Sequence, residues 1–147
     1  MNATTRFLPF TGRLLIGGIF LMSGLTKIPA YAGITAAISG AGLPFAPLGF
    51  AVTLLVEIGL GALLLIGYRT RPVALVLAIW CVVTAFFFHR NFADQNMMIH
   101  FLKNLMIAGG LLQIVHFGPG PVSLDARSGR RNARATIDIA SPSPGAV

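Results

Sequence analysis

The sequence predicts an all-α integral membrane protein, a four-helix bundle with both ends in the cytoplasm. Three observations predict it. Apolar residues make up 55% of the 147 positions and charged residues only 10%, where a soluble domain carries about 25% charged. Four stretches each supply the roughly 20 apolar residues that cross ~30 Å of hydrocarbon. The basic residues fall mainly at the edges of those stretches and in the tail, and most of them on one side.

The first span covers about residues 7–28, with an uncharged centre at 14–26. A loop without charge follows, 29–47. It is apolar at first and rich in glycine and proline later, so it reads either as a short interfacial or re-entrant helix with a turn-rich return, or as an ordered surface loop. The second span, about 48–68, holds one acid, Glu57. The third, about 72–89, opens on Pro72, a residue suited to a first helical turn. The fourth covers about 97–117. Residues 1–125 thus read as the membrane domain, and 126–147, rich in Arg, Ser, Pro and Gly, as a disordered basic tail.

Orientation follows from the arginines. Arg6, Arg13, Arg69, Arg71, Arg127, Arg130, Arg131 and Arg134 are eight of the eleven basic residues, and four spans place them all on one side. The opposite side has Arg90, offset by Asp94. The positive-inside rule makes the arginine-rich side cytoplasmic. The first span has a rival reading as a secretory signal, since Ala30-Tyr31-Ala32 has the small-x-small form of a cleavage site. Lys27 interrupts that segment, and its removal would leave three spans with ends on opposite sides, so a retained span is expected.

The same residues exclude several functions. The net charge of +7 is not arranged as a basic helix interleaved with aromatics, so nucleic-acid binding is not expected. Cys81 is the single cysteine; it forms neither an internal disulfide nor a Cys-x-x-Cys redox pair. No catalytic triad, phosphate-cradling glycine loop or metal-ligand pair occurs, so no metal is expected.

In a bilayer the informative residues are those that cost energy to place. A central charge costs ~2.5–3.5 kcal/mol on insertion scales, so it turns to the bundle interior and finds a partner. Glu57 lies mid-span with Thr53 and Gly61 on its face. Asn96, His100, Lys103 and Asn104 recur at helical spacing along one stripe of the fourth span, which is expected to face inward. Lys27 lies only ~20 Å of helix from Arg13, short of the hydrocarbon thickness. These residues suggest a buried polar cluster of Glu57 with Lys27 or Lys103, supported by His100 and Asn104. Such a cluster serves either as an ion pair that sets helix register or as a pocket for a proton, a head group or a small polar ligand. His89 and His100 end up near one membrane face, where two histidines can hold a haem. Interfacial histidines are commoner, and haem is not expected. Trp80 and Phe86-Phe87-Phe88 read as packing residues.

Four stretches, in order, resemble the DoxX family of small bacterial and archaeal membrane proteins. They are Arg13-Leu-Leu-Ile-Gly-Gly-Ile-Phe-Leu-Met-Ser-Gly-Leu-Thr-Lys27, Glu57-Ile-Gly-Leu-Gly-Ala-Leu-Leu-Leu-Ile-Gly-Tyr-Arg-Thr-Arg71, Lys103-Asn104-Leu-Met-Ile-Ala-Gly-Gly-Leu-Leu and Gly118-Pro-Gly-Pro-Val-Ser-Leu-Asp-Ala-Arg127. The resemblance spans about residues 10–127 and includes Lys27, Glu57, Lys103 and Asn104. It implies a multi-pass protein of the bacterial cytoplasmic membrane. It also implies a membrane subunit or accessory of a quinone-linked or redox-stress oxidoreductase, with a quinone as ligand and a redox enzyme as partner. Two other readings stand beside it: a small-molecule carrier or channel working as a homo-oligomer, and a scaffold without ligand.

Overall fold

The computed structural model describes residues 3–140. Seven α-helices and one π-helical segment run in the order α1 (Ala3–Lys27), α2 (Tyr31–Gly40), α3 (Ala46–Leu54), the π segment (Leu55–Leu60), α4 (Gly61–Ile66), α5 (Thr70–Phe88), α6 (Gln95–Phe117) and α7 (Leu124–Ala140). No strand occurs among the described residues. Among the described residues four units are long and apolar enough to cross a membrane: Arg6–Lys27, Ala46–Ile66, Thr70–Phe88 and Gln95–Phe117. The second is composite, since α3, the π segment and α4 follow one another without a break. The spans lie within about two residues of the positions their apolar runs predict.

The bundle is two helical hairpins laid together. In the first, α1 packs along the π segment and α4. Glycines make this approach possible: a methyl group at Gly17 would lie 2.9 Å from the Gly61 carbonyl oxygen, and one at Gly61 would lie 3.0 Å from Phe20 Cβ. In the second, α5 and α6 share the most extensive contact in the molecule. Small buried residues on α5, Ala74, Ala78, Cys81 and Ala85, recur at helical spacing and let α6 seat Ala108 and Leu111 against them. Phe86 meets Phe101 edge to face at 5.2 Å. Leu15, Met22, Leu55, Ile79 and Met106 stay exposed. In a bilayer such residues face lipid, which is as apolar as they are.

The segment between the first two spans forms a helix, α2, and not an irregular loop. Tyr31 on α2 packs edge to face on Phe50 of α3 at 4.9 Å. The turn between them passes through Phe45, which holds a left-handed conformation with φ of 56°. Non-glycine residues there carry strain.

At the arginine-rich end a latch joins four elements. Gly67, at φ 71°, ends α4 in a Schellman arrangement: Tyr68 N–H donates to Leu63 O at 3.0 Å and Gly67 N–H to Leu64 O at 3.2 Å. Arg13 reaches across from α1 to donate to Leu64 O at 3.3 Å and Leu65 O at 3.4 Å, and to Val122 O. It thereby satisfies carbonyls that a helix C-terminus leaves open. Asp125 caps α5 from the far end of the sequence, accepting from Arg69 N–H, Thr70 N–H and the Thr70 hydroxyl, each at 2.8 Å.

The tail differs from the sequence expectation. Where composition predicts disorder from Ala126 onward, the chain continues as α7. Composition misses it because the helix depends on its start. Asp125 sits in the first turn, where a carboxylate is favoured by the helix dipole, and its hydrogen bonds fix that turn to the bundle. Residues 141–147 lie outside the described part.

Candidate functional site

Away from the arginine-rich end, α1, the π segment, α5 and α6 surround a polar chamber. Its centre is Glu57, buried with 7% of its surface exposed. Glu57 is carried by the π segment. An i→i+5 turn is rare in helices and is frequently found at functional sites. Lys27 Nζ lies 2.6 Å from Glu57 Oε2 and also donates to Ser23 Oγ at 2.6 Å. Ser23 and Lys27 are one helical turn apart on α1, so a single face presents both. Gly24 between them lets α1 close in: a methyl group there would sit 3.2 Å from Glu57 Cβ.

Two cavities meet at Glu57. One, of about 330 Å³, is bounded by Ser23, Lys27, Thr53, Glu57, His89 and Asn104, with Ile38 and Trp80 among its apolar walls. The other, of about 130 Å³, continues past Glu57 between α1, α5 and α6 towards Ile16, Cys81 and Ile107. Ser23, Glu57, Trp80, Thr84 and Asn104 belong to both. The larger falls within the roughly 300–1,000 Å³ of small-molecule sites. The chamber offers an ammonium, an amide and the Ser23 hydroxyl against one carboxylate. That set suits a ligand whose polar end accepts hydrogen bonds and exchanges a proton.

Of the five residues that sequence reasoning assembles here, three meet at the chamber. Lys27 and Glu57 form the pair, and Asn104 lines both cavities while donating through Nδ2 to His100 O at 3.0 Å. Lys103 and His100 do not join them: both side chains are exposed, and Lys27 is the partner that Glu57 takes. The reason is the register of α6. Its inward-facing line runs through the half-buried Asn104 and the buried Ala108 and Leu111, so only the Asn104 edge of the polar stripe turns inward. His100 stacks on His89 with ring centroids 5.2 Å apart. His89 Nδ1 is buried without a hydrogen-bond partner. Among the described residues no three His, Cys, Asp or Glu side chains gather as they would round a metal ion.

Sequence reasoning missed Ser23, Thr84 and Trp80 as chamber residues. Ser23 had a signal, its place one turn before Lys27. Thr84 and Trp80 had none, because their neighbours come from other helices. The Arg13 and Asp125 latch was also missed, although both residues lie within stretches that carry the resemblance.

The DoxX family profile matches residues 8–90. The chain belongs to the DoxX family. Among its relatives is inner membrane protein YqjF of Escherichia coli K12, 40% identical over 115 residues, which are 77% of this chain and 85% of that protein. Inner membrane protein YphA of the same organism is 30% identical over 120 residues, 78% of this chain and 86% of its own length. No solved structure matches the chain. With its four apolar spans, this DoxX protein is a multi-pass protein of the bacterial inner membrane. The stretch matched by the family profile contains Lys27 and Glu57 and ends before Asn104.

Proposed function

We propose that this DoxX protein is the quinone-binding membrane subunit of an oxidoreductase system, with its arginine-rich end in the cytoplasm and its chamber in the outer half of the bilayer. The observation that carries the reading is the Lys27–Glu57 pair, placed on a π segment and opening onto a cavity of about 330 Å³. A charged pair at bilayer depth is expensive, and such residues are found where a ligand or proton is handled. Lys27 and the second N–H of the Asn104 amide would donate to a quinone carbonyl oxygen. Glu57 would exchange a proton with the same oxygen, as a positioned carboxyl does in general acid–base chemistry. Reducing a quinone to a quinol takes two electrons and two protons. The chain holds no redox pair of its own, so the electrons would come from a partner enzyme. The excess of arginine on one side supports the orientation.

The test is extraction. The tagged protein, purified in mild detergent from native membranes, is expected to retain near-stoichiometric quinone, and Glu57→Gln and Asn104→Ala to lower its occupancy at least tenfold. Wild-type protein that carries only phospholipid would overturn the reading.

A further inference from the structure

A third cavity, of about 320 Å³, adjoins the chamber. It is a groove between α3 and α5, with Phe45, Leu48 and Val52 on one wall and Val83 and Phe87 on the other. All five side chains are exposed, and four of them lie within the apolar spans, so in a bilayer the groove faces hydrocarbon. It is continuous with the polar chamber: Ile38, Thr53, Trp80, Thr84 and Phe88 line both.

The groove follows from the fold. α5 packs on α4 and on the π segment but hardly touches α3. A π turn is a recognised cause of helix redirection, and here it lies between α4, which packs on α5, and α3, which hardly touches it. α2 and the Phe45 turn cover the end of the gap, and the strained backbone of Phe45 sits at its rim. The junction between groove and chamber is less polar than its residue types suggest. Thr53 donates its hydroxyl to Gly49 O at 2.9 Å and Thr84 to Trp80 O at 2.9 Å, so each satisfies its proton within its own helix. Polarity therefore falls in one direction, from the ion pair, across the two threonines, to a wall of aromatic and branched side chains facing lipid.

From this gradient we infer that the α3–α5 groove is a lateral portal which admits the ligand from the bilayer and holds its apolar tail, so that the ligand is an isoprenoid quinone and not a water-borne one. The inference rests on the chamber being a quinone site. The head group sits at Lys27 and Glu57, and the first isoprene units lie along Val52, Val83 and Phe87. A ligand arriving through the lipid needs no opening of the bundle towards water.

The experiment uses the full chain in phosphatidylcholine nanodiscs with two probes: 2,3-dimethoxy-5-methylbenzoquinone, and the same head carrying two isoprene units. Dissociation constants are expressed per mole of lipid, which removes simple partitioning. The tailed probe is expected to bind at least tenfold tighter. Val52→Trp and Val83→Trp, which fill the groove, should weaken the tailed probe at least tenfold and leave the head-only probe within twofold. Val76→Trp, on an exposed part of α5 outside the groove, is expected to change neither. Glu57→Gln should weaken both. If the head-only probe binds through Glu57 while the tail and the groove variants have no effect, the portal is wrong and the quinone site stands. If wild-type protein binds neither probe, the site itself is wrong and the portal falls with it. A photoreactive tail that labels the groove no better than a photoreactive phospholipid would overturn the portal as well.

Discussion

At the scale of single residues, two charged groups carry most of the information, and they ask for different tests. Lys27 and Glu57 neutralise each other in a region where neither is tolerated alone. Removing one partner of a buried pair costs ~3–5 kcal/mol, whereas replacing both with apolar residues is often neutral or stabilising. Lys27 keeps a quarter of its side chain exposed, so Lys27→Met and Glu57→Met are each expected towards the lower end of that range. The double variant should recover wild-type thermal stability in detergent. If it also keeps wild-type quinone occupancy, the pair is purely structural. Asp125 makes a prediction in pH. Burial pushes its carboxyl up, but the hydrogen bonds from Thr70 and Arg69, with the Arg13 charge, outweigh this and hold it below the usual carboxylate range. A group whose folded pKa is depressed contributes stability above its unfolded value, about 3.9, and loses it as pH falls through the folded value. Stability should therefore drop below about pH 4. Asp125→Ala, which removes the acceptors, should cost about 0.5–2 kcal/mol at neutral pH, the worth of a helix cap, and Asp125→Asn should flatten that part of the profile. An unchanged profile in the variant would remove Asp125 from the latch.

At the scale of elements, the second span decides the architecture. Its lower part, α4, is locked to α1 through facing glycines, and its upper part, α3, lies beyond the π segment and hardly touches α5. Gly61→Leu would push a branched side chain against Phe20 and the backbone of Gly17. Overpacking of this kind costs about 1–3 kcal/mol. The expected result is a lower melting temperature together with weaker quinone retention, since the α1–π contact also positions Lys27. The same substitution at Gly109, where an added methyl group meets nothing within 4 Å, should have little effect. Equal losses at the two positions would mean that helix propensity, and not the α1–α4 contact, governs stability. The α7 helix belongs to this scale too, since its first turn is secured through Asp125 to the link between α4 and α5.

For the whole molecule, the asymmetry of charge sets the expected orientation. Arg71 and Asn91 are exposed at opposite ends of α5, and Cys81 is buried, which leaves a low labelling background. Arg71→Cys should react with a membrane-impermeant thiol reagent only after the cells are opened, and Asn91→Cys in intact cells. Labelling of both from outside would overturn the topology, and the reverse pattern would in addition place the chamber in the inner half of the bilayer. The two-hairpin arrangement also bears on access. The hairpins close firmly at the arginine-rich latch and meet loosely at the other end, where the chamber and groove lie, so ligand exchange is expected there.

The sequence by itself determined the fold class, the four spans and the family. Hydrophobic length and the scarcity of charge are properties of composition, and a bilayer leaves a backbone few choices besides the helix. It also determined which residues were worth suspecting, because a charge at bilayer depth is costly wherever the helices lie. Only the tertiary structure decided which suspects meet. Glu57 had two lysines within plausible reach, and the choice of Lys27 depends on how closely Gly24 lets α1 approach the π segment. Lys103 and His100 fell outside because a stripe covering a third of a helix can turn only one edge inward, and the packing of α5 selected the edge with Asn104. The π turn, the Arg13 and Asp125 latch and the helical tail were illegible for the same reason. Each depends on contacts between residues far apart in the chain, which neither periodicity nor composition records.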